Sequence, residues 1–145
     1  MASDEIASVS AVIVRALRET NARDYSPEEI ERSVQGFLPA AFAERSRGRQ
    51  TLVAVRAGRI VGTAALGQER INTVFVCPDE QGRGVGRVLM AAVEALAREA
   101  GWTEAPLNAS RTAVAFYRRL GYAQAEAPDP AADTTRMVKP LVAAD

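Results

Sequence analysis

The sequence predicts an α+β fold, a mixed but mostly antiparallel sheet flanked by helices. Three observations carry that expectation. Residues 51–56 and 59–66 alternate apolar with polar side chains on either side of Ala57-Gly58, the pattern of a β-hairpin. The apolar, β-branched run from Ile71 to Val76 is stopped by Pro78 and passes through Gly82, Gly84 and Gly86 into a segment of helical period. A strand over 104–109, a helix over 111–120 and a final strand pair over 122–126 and 134–139 complete the order.

The elements follow from the residues in turn. Ile6, Val9, Val12, Ile13, Ala16 and Leu17 share one helical face, and Ser3-Asp4-Glu5 suits a helix start; Ala11 to Leu17, with its Val-Ile-Val, would otherwise read as a first strand. Asn21 to Tyr25 is a polar loop. Ser26-Pro27-Glu28-Glu29 then opens a second helix, with Ser at the cap, Pro at the first position and Glu at the third, and Pro39 breaks or restarts it before Phe42. Arg45 to Arg49 is a basic loop, and Gly67-Gln68-Glu69 turns the chain into the strand at Ile71. In the long helix Val85, Val88, Leu89, Ala92, Val93, Leu96 and Ala100 fall at helical spacing and mark one apolar face; Glu94 stands four residues before Arg98, an ion-pair spacing, and Gly101 closes the helix. Ser110 caps the next helix, Gly121 ends it, and a Pro/Ala/Asp-rich loop separates the last two strands.

Composition bounds the function. The chain has 145 residues, 48% of them hydrophobic, enough for one core, so residues 1–145 are expected to form a single domain. Lys plus Arg and Asp plus Glu each number 18, a balance that argues against a dedicated nucleic-acid or membrane-surface binder. No apolar run approaches a membrane span, and the acidic start Met-Ala-Ser-Asp-Glu is unlike a secretory leader; a cytoplasmic protein is expected. The lone Cys77 rules out an internal disulfide, and the absence of histidine removes Ser-His-Asp and Cys-His catalysis along with the usual zinc ligands, so no metal is expected.

The glycine stretch is the chemical signal. A strand feeding through spaced glycines into a helix start presents unpaired amides and the positive end of a dipole, and Arg83 and Arg87 can add charge-assisted bonds to the same anion. No Gly-Lys-Ser/Thr follows, which excludes a P-loop. Gly86 falls too early for a dinucleotide motif, and no acidic residue closes a following strand, so a nucleotide-binding module is poorly supported.

Gln81, Gly84 and Gly86 instead resemble the Gln/Arg-x-x-Gly-x-Gly/Ala acyl-CoA motif of the GCN5-related N-acetyltransferases (GNAT), and Phe-Tyr-Arg-Arg-Leu-Gly-Tyr at 116–122 resembles that family's late Phe-Tyr-x-x-x-Gly-Phe/Tyr motif. The resemblance implies a GNAT fold in which acetyl-CoA, as cosubstrate, lies where the central strand splays from its parallel neighbour. It implies that Val74, Phe75 and Val76 meet the pantetheine and acetyl group, that Gln81, Gly82, Arg83, Gly84, Val85, Gly86 and Arg87 wrap the pyrophosphate, and that Asn108 flanks the cleft. Tyr117 matches the tyrosine that protonates the departing thiolate. A glutamate is often found on the central strand as base; here Glu69 precedes the strand and is the candidate, while Asp24, Tyr25 and Asn72 are candidate contacts to the acceptor. By alternation Asn72, Val74 and Val76 share one face. The implied reaction is direct acetyl transfer to a primary amine of a small molecule or peptide; a noncatalytic acyl-CoA-binding module on the same fold is the alternative. One departure stands out. Family members usually open with a strand, and a helix over 5–20 removes it, leaving a sheet edge that is shorter or completed by a second copy in a homodimer.

Overall fold

The computed structural model describes residues 1–127 and 132–142, so the Pro/Ala/Asp-rich loop lies partly outside the described residues. Helices α1 (Ser3–Glu19), α2 (Pro27–Gln35) and α3 (Pro39–Arg45) come first, followed by strands β1 (Gln50–Arg56), β2 (Arg59–Leu66) and β3 (Ile71–Val76). Then come α4 (Val85–Glu99), β4 (Glu104–Ser110), α5 (Val114–Arg119), β5 (Ala123–Gln124) and β6 (Thr134–Pro140). Among the described residues one sheet forms in the order β1-β2-β3-β4-β6-β5, antiparallel throughout except between β3 and β4.

Residues 3–19 form the expected helix, so no strand precedes Gln50 among the described residues and β1 is a sheet edge. Local chemistry accounts for the boundaries. Ala57 and Gly58 both have positive φ, +52° and +76°, as a two-residue hairpin loop of this hand needs. After α4 the amides of Gly101 and Trp102 turn back onto the carbonyls of Arg98 and Ala97 at 2.9 Å each, with Gly101 at φ +88°. A 3-10 turn over Arg111–Ala113 precedes α5, and the Ser110 side chain makes no cap there, contrary to its sequence position.

Two apolar layers sandwich the sheet. On one face α4 brings Leu89, Met90 and Val93 onto β2 and β3, joined by Tyr117 and Tyr122. On the other, Val9, Ile13 and Leu17 of α1 pack with Ile30, Val34 and Phe42. Each such fully buried aliphatic side chain contributes about 1.5–3 kcal/mol of transfer free energy. Glu94 departs from the ion pair that its spacing suggests. It points inward, 4% exposed, and accepts from the Tyr122 hydroxyl at 2.7 Å and Lys139 Nζ at 2.9 Å, while Arg98 bonds the Val142 carbonyl at 3.0 Å. A buried carboxylate needs a cation and a donor more than an exposed one gains from an i,i+4 neighbour.

Candidate active site

β3 lies inside the sheet, yet only Ile71 is buried on it and its other five residues are half-exposed. The cause is the pairing: β3 meets β4 in register only at Ile71 and Leu107. Beyond that point β3 and β4 are no longer paired, and the flank of β3 from Val74 to Val76 is left half-exposed.

Thr73 sits in this strand at φ +57°, a costly conformation for a β-branched residue. It forms a bulge: Asn72 stands opposite Ala65 but Phe75 opposite Thr63, so three steps on β3 match two on β2. The expected alternation therefore breaks. Asn72 and Phe75 share the α1 side, where Phe75 meets Phe37 edge-on at 5.6 Å, while Val74 and Val76 pack on the α4 side.

The loop after β3 is braced from outside. Asp79 takes two bonds of 2.8 Å from the Arg15 guanidinium of α1, which also reaches Glu19 at 2.6 Å and Cys77 Sγ at 3.4 Å. The Arg15 hydrogen bonds hold the Asp79 carboxyl below its usual range. Glu80 pairs with Arg56 of β1 at 2.9 Å. These partners lie far away in the sequence, and nothing in the local pattern points to them.

Within this frame Gly82 and Gly84 adopt φ +77° and +83°, and a Cβ on either would meet nothing within 4 Å. The space above the loop is open. Gly84 caps α4 without a side chain, no acidic residue stands in the first turn, and the amides of Val85, Gly86 and Arg87 have no intrahelical partner. Arg83 and Arg87 are exposed beside them, and Gln81 Nε2 donates to the Val76 carbonyl at 3.3 Å. At Gly86 a Cβ would lie 3.1 Å from Phe116, so its absence lets α5 close against α4.

That contact sets Tyr117. It is 5% exposed, edge-on to Phe116 at 5.2 Å and to Tyr122 at 5.6 Å, and Tyr122 is held by Glu94. Burial pushes the Tyr117 phenol well above its ordinary value, and burial followed by the Glu94 bond does the same to Tyr122.

The remaining candidates fall in two places. At the carboxyl end of β4, Asp24 Oδ2 accepts from the Thr112 hydroxyl at 2.7 Å, and the Tyr25 hydroxyl accepts the Arg111 amide at 2.8 Å and donates to the Asp133 carbonyl at 2.6 Å. The two residues thus clasp the α1–α2 loop onto the start of α5, with Arg111 4.7 Å over the Tyr25 ring. Asn108 is exposed on β4, opposite Arg136. At the other end of β3, Glu69 is exposed in the β2–β3 turn and Asn72 is half-buried with its Oδ1 unpartnered. The site residues are therefore spread along the whole length of β3, from the turn before it to the glycine loop after it.

A sheet opened between two parallel strands, ending in an uncapped glycine-rich helix start, is the architecture of an acyl-CoA-dependent transferase. The chain belongs to the GNAT family of acetyltransferases: the model described as "Acetyltransferase (GNAT) domain" matches residues 21–139. A solved GCN5-related N-acetyltransferase from Rhodopseudomonas palustris is 32% identical, with a TM-score of 0.88 over 97% of this chain and 92% of that one. The PaiA N-acetyltransferase of Thermoplasma acidophilum, solved with coenzyme A, shares the fold at 19% identity, with a TM-score of 0.81 over 97% and 95% of the two chains. The streptothricin acetyltransferase of Streptomyces lavendulae is 38% identical over 85 residues, 51% of this chain and 44% of that protein, so the match spans less than half the relative's length.

Proposed function

We propose that the chain transfers the acetyl group of acetyl-CoA directly to the primary amine of a small molecule, with Tyr117 as general acid. The observation that carries this reading is the half-exposed interior strand β3, open from Val74 to Val76 and leading into the braced glycine loop. The residues present fit the cosubstrate: the open space over Gly82 and Gly84 admits a pyrophosphate to the free amides of α4, with Arg83 and Arg87 alongside. The relative that supports a small-molecule acceptor is the streptothricin acetyltransferase.

Bound acetyl-CoA supplies an acetyl group activated as a thioester. The acceptor nitrogen bonds to the acetyl carbon, the carbon–sulfur bond breaks with its electron pair going to sulfur, and the Tyr117 phenolic proton goes to that sulfur. The nitrogen's surplus proton leaves to Glu69 or water. A neutral phenol is needed at the start, and burial keeps Tyr117 in that form. Direct transfer is favoured because the chain has no histidine and its only thiol, Cys77, is buried against Arg15.

The test is thiol release from acetyl-CoA across a panel of amines. Tyr117→Phe should lower kcat by roughly 10²–10⁴-fold and leave the acetyl-CoA KM nearly unchanged. The wild-type rate should rise with pH as the amine deprotonates, without the descending limb near pH ~10 of an ordinary tyrosine, because the raised phenol stays protonated there. An unchanged kcat in the variant removes Tyr117 from the mechanism.

A further inference from the structure

The end of β3 remote from the glycine loop carries an unbalanced charge. Between the α3–β1 loop and the β2–β3 turn lies a cavity of about 380 Å³ lined by Arg47, Arg49, Arg70, Gln68, Glu69 and Asn72. Arg45 stands close enough to act on Arg49, although its guanidinium lies 4.8 Å over the Phe37 ring. Two acids are near: Glu44, which pairs with Arg47 at 3.2 Å, and Glu69 on the rim. Among the described residues Arg49 and Arg70 pair with no carboxylate. Burial and then the like charges of Arg45 and Arg70 push Arg49 below its usual value. Like charges held together at a half-buried position are unfavourable unless an anion neutralises them.

A second observation comes from the strand. Asn72, on the cavity wall, has a buried Oδ1 without a hydrogen-bond partner. An unmet acceptor of this kind costs roughly 1–3 kcal/mol, so the wall of the cavity holds a polar group that the fold itself leaves unpaired. Beside it, Arg49 Nη1 reaches Thr73 Oγ1 at 3.4 Å, so the cavity abuts the strained bulge of β3 itself.

We infer that this cavity is the acceptor subsite and that it selects amines bearing an anionic group, a carboxylate or a phosphate held by Arg49 and Arg70. The inference rests on the acetyltransferase reading for the identity of the reacting group, while the anion subsite can be tested without turnover. The geometry explains why Arg70 and Asn72 occupy the start of the central strand: they meet an acceptor that brings its own negative charge. The same cluster disfavours polycationic acceptors by like-charge repulsion.

The experiment has two arms on the full chain. In the first, glutarate is titrated by calorimetry into the wild type and Arg70→Gln, with acetyl-CoA titrated in parallel; Arg49→Gln is the second variant should Arg70→Gln fail to fold. Glutarate should bind the wild type and lose at least about tenfold in affinity in the variant, while acetyl-CoA affinity stays within about twofold. In the second, thiol release is followed with ω-amino acids, their carboxamides, ω-aminoalkyl phosphates and α,ω-diamines. The acids or the phosphates should exceed the carboxamides and diamines by about tenfold or more in kcat/KM, and Arg70→Gln should level the series through KM. Preference between the carboxylate and phosphate members identifies the source of the anion. Absence of glutarate binding, equal binding by the variant, or preference for diamines overturns the subsite while acetyl-CoA binding leaves the enzyme reading intact. Glutarate binding without acetyl-CoA binding overturns that reading instead.

Discussion

Helices α2 and α4 begin in opposite ways. At α2 the Ser26 hydroxyl accepts the Glu29 amide at 3.1 Å, Glu29 Oε1 accepts the Ser26 amide at 2.9 Å, and Pro27 has no amide to satisfy. Glu28 and Glu29 also oppose the positive end of the dipole, and the Ser26 bonds hold Glu29 below its ordinary pKa. At α4 the cap is a bare glycine, the first turn has no acid, and the flanking charges are Arg83 and Arg87. Both helices face the same shortage of acceptors. Where the chain answers it with its own side chains the helix start is structural; where it leaves the shortage open and fixes the loop through Arg15 and Arg56 instead, the start has the free amides that the proposed pyrophosphate site requires.

The largest effect should come from placing an acid at the bare start of α4, where φ +83° also strains any side chain. Gly84→Asp places a carboxylate at the open amides and opposite the expected pyrophosphate. The helix-end interaction it takes over is worth up to ~2 kcal/mol, or about 30-fold in affinity, and charge repulsion adds to that. Calorimetry should therefore show acetyl-CoA affinity falling by at least about 30-fold, with helical circular dichroism retained. Unchanged affinity would mean that the loop over Gly82 and Gly84 is a turn and not a binding site.

A smaller effect tests the flanking charge separately from the amides. The Arg83→Ala, Arg87→Ala double variant keeps the backbone cradle and removes two exposed cations. Hydrogen bonds to charged groups contribute about 1.5–3 kcal/mol when formed, less where solvent competes. Acetyl-CoA affinity should drop about tenfold, and its salt dependence should weaken with it. If the double variant loses as much as Gly84→Asp, the arginines and not the open helix start provide the site.

The contrast between the two helix starts is legible in the sequence because both are local. Ser26, Pro27 and Glu29 act within four positions, and Gly82 and Gly84 signal positive φ by themselves. The hairpin at Ala57-Gly58 and the stop at Gly101 are readable for the same reason. What could not be read depends on residues distant along the chain. Arg15 reaches Asp79 across 64 positions, and Glu94 turns from the nearby Arg98 to Tyr122 and Lys139 because it faces the core. The bulge at Thr73 is the sharpest case. A threonine inside a β-branched run gives no sign of φ +57°, and the register against β2 and the Arg49 contact become visible only once the sheet exists. That single misfit reverses the side chains on half of the strand, which is why Asn72 faces the arginine cavity and not the valines of the cleft.

The smallest effect belongs to the closed helix start, and it is expected to fall on stability alone. Ser26→Ala removes the acceptor for the Glu29 amide, a loss of about 1 kcal/mol, which for a chain of this size is a fall of roughly 2–4 °C in Tm. Acetyl-CoA affinity should stay within about twofold, since α2 lies on the opposite face of the sheet from α4. The loop that precedes it is not wholly passive, because Asp24 and Tyr25 clasp that segment to Thr112 and Arg111. A drop in kcat with unchanged cosubstrate affinity would show that the closed start positions α5, and Tyr117 on it, through this clasp. Thermal melting and calorimetry on the same preparation therefore separate a cap that only holds a helix from one that also sets the site.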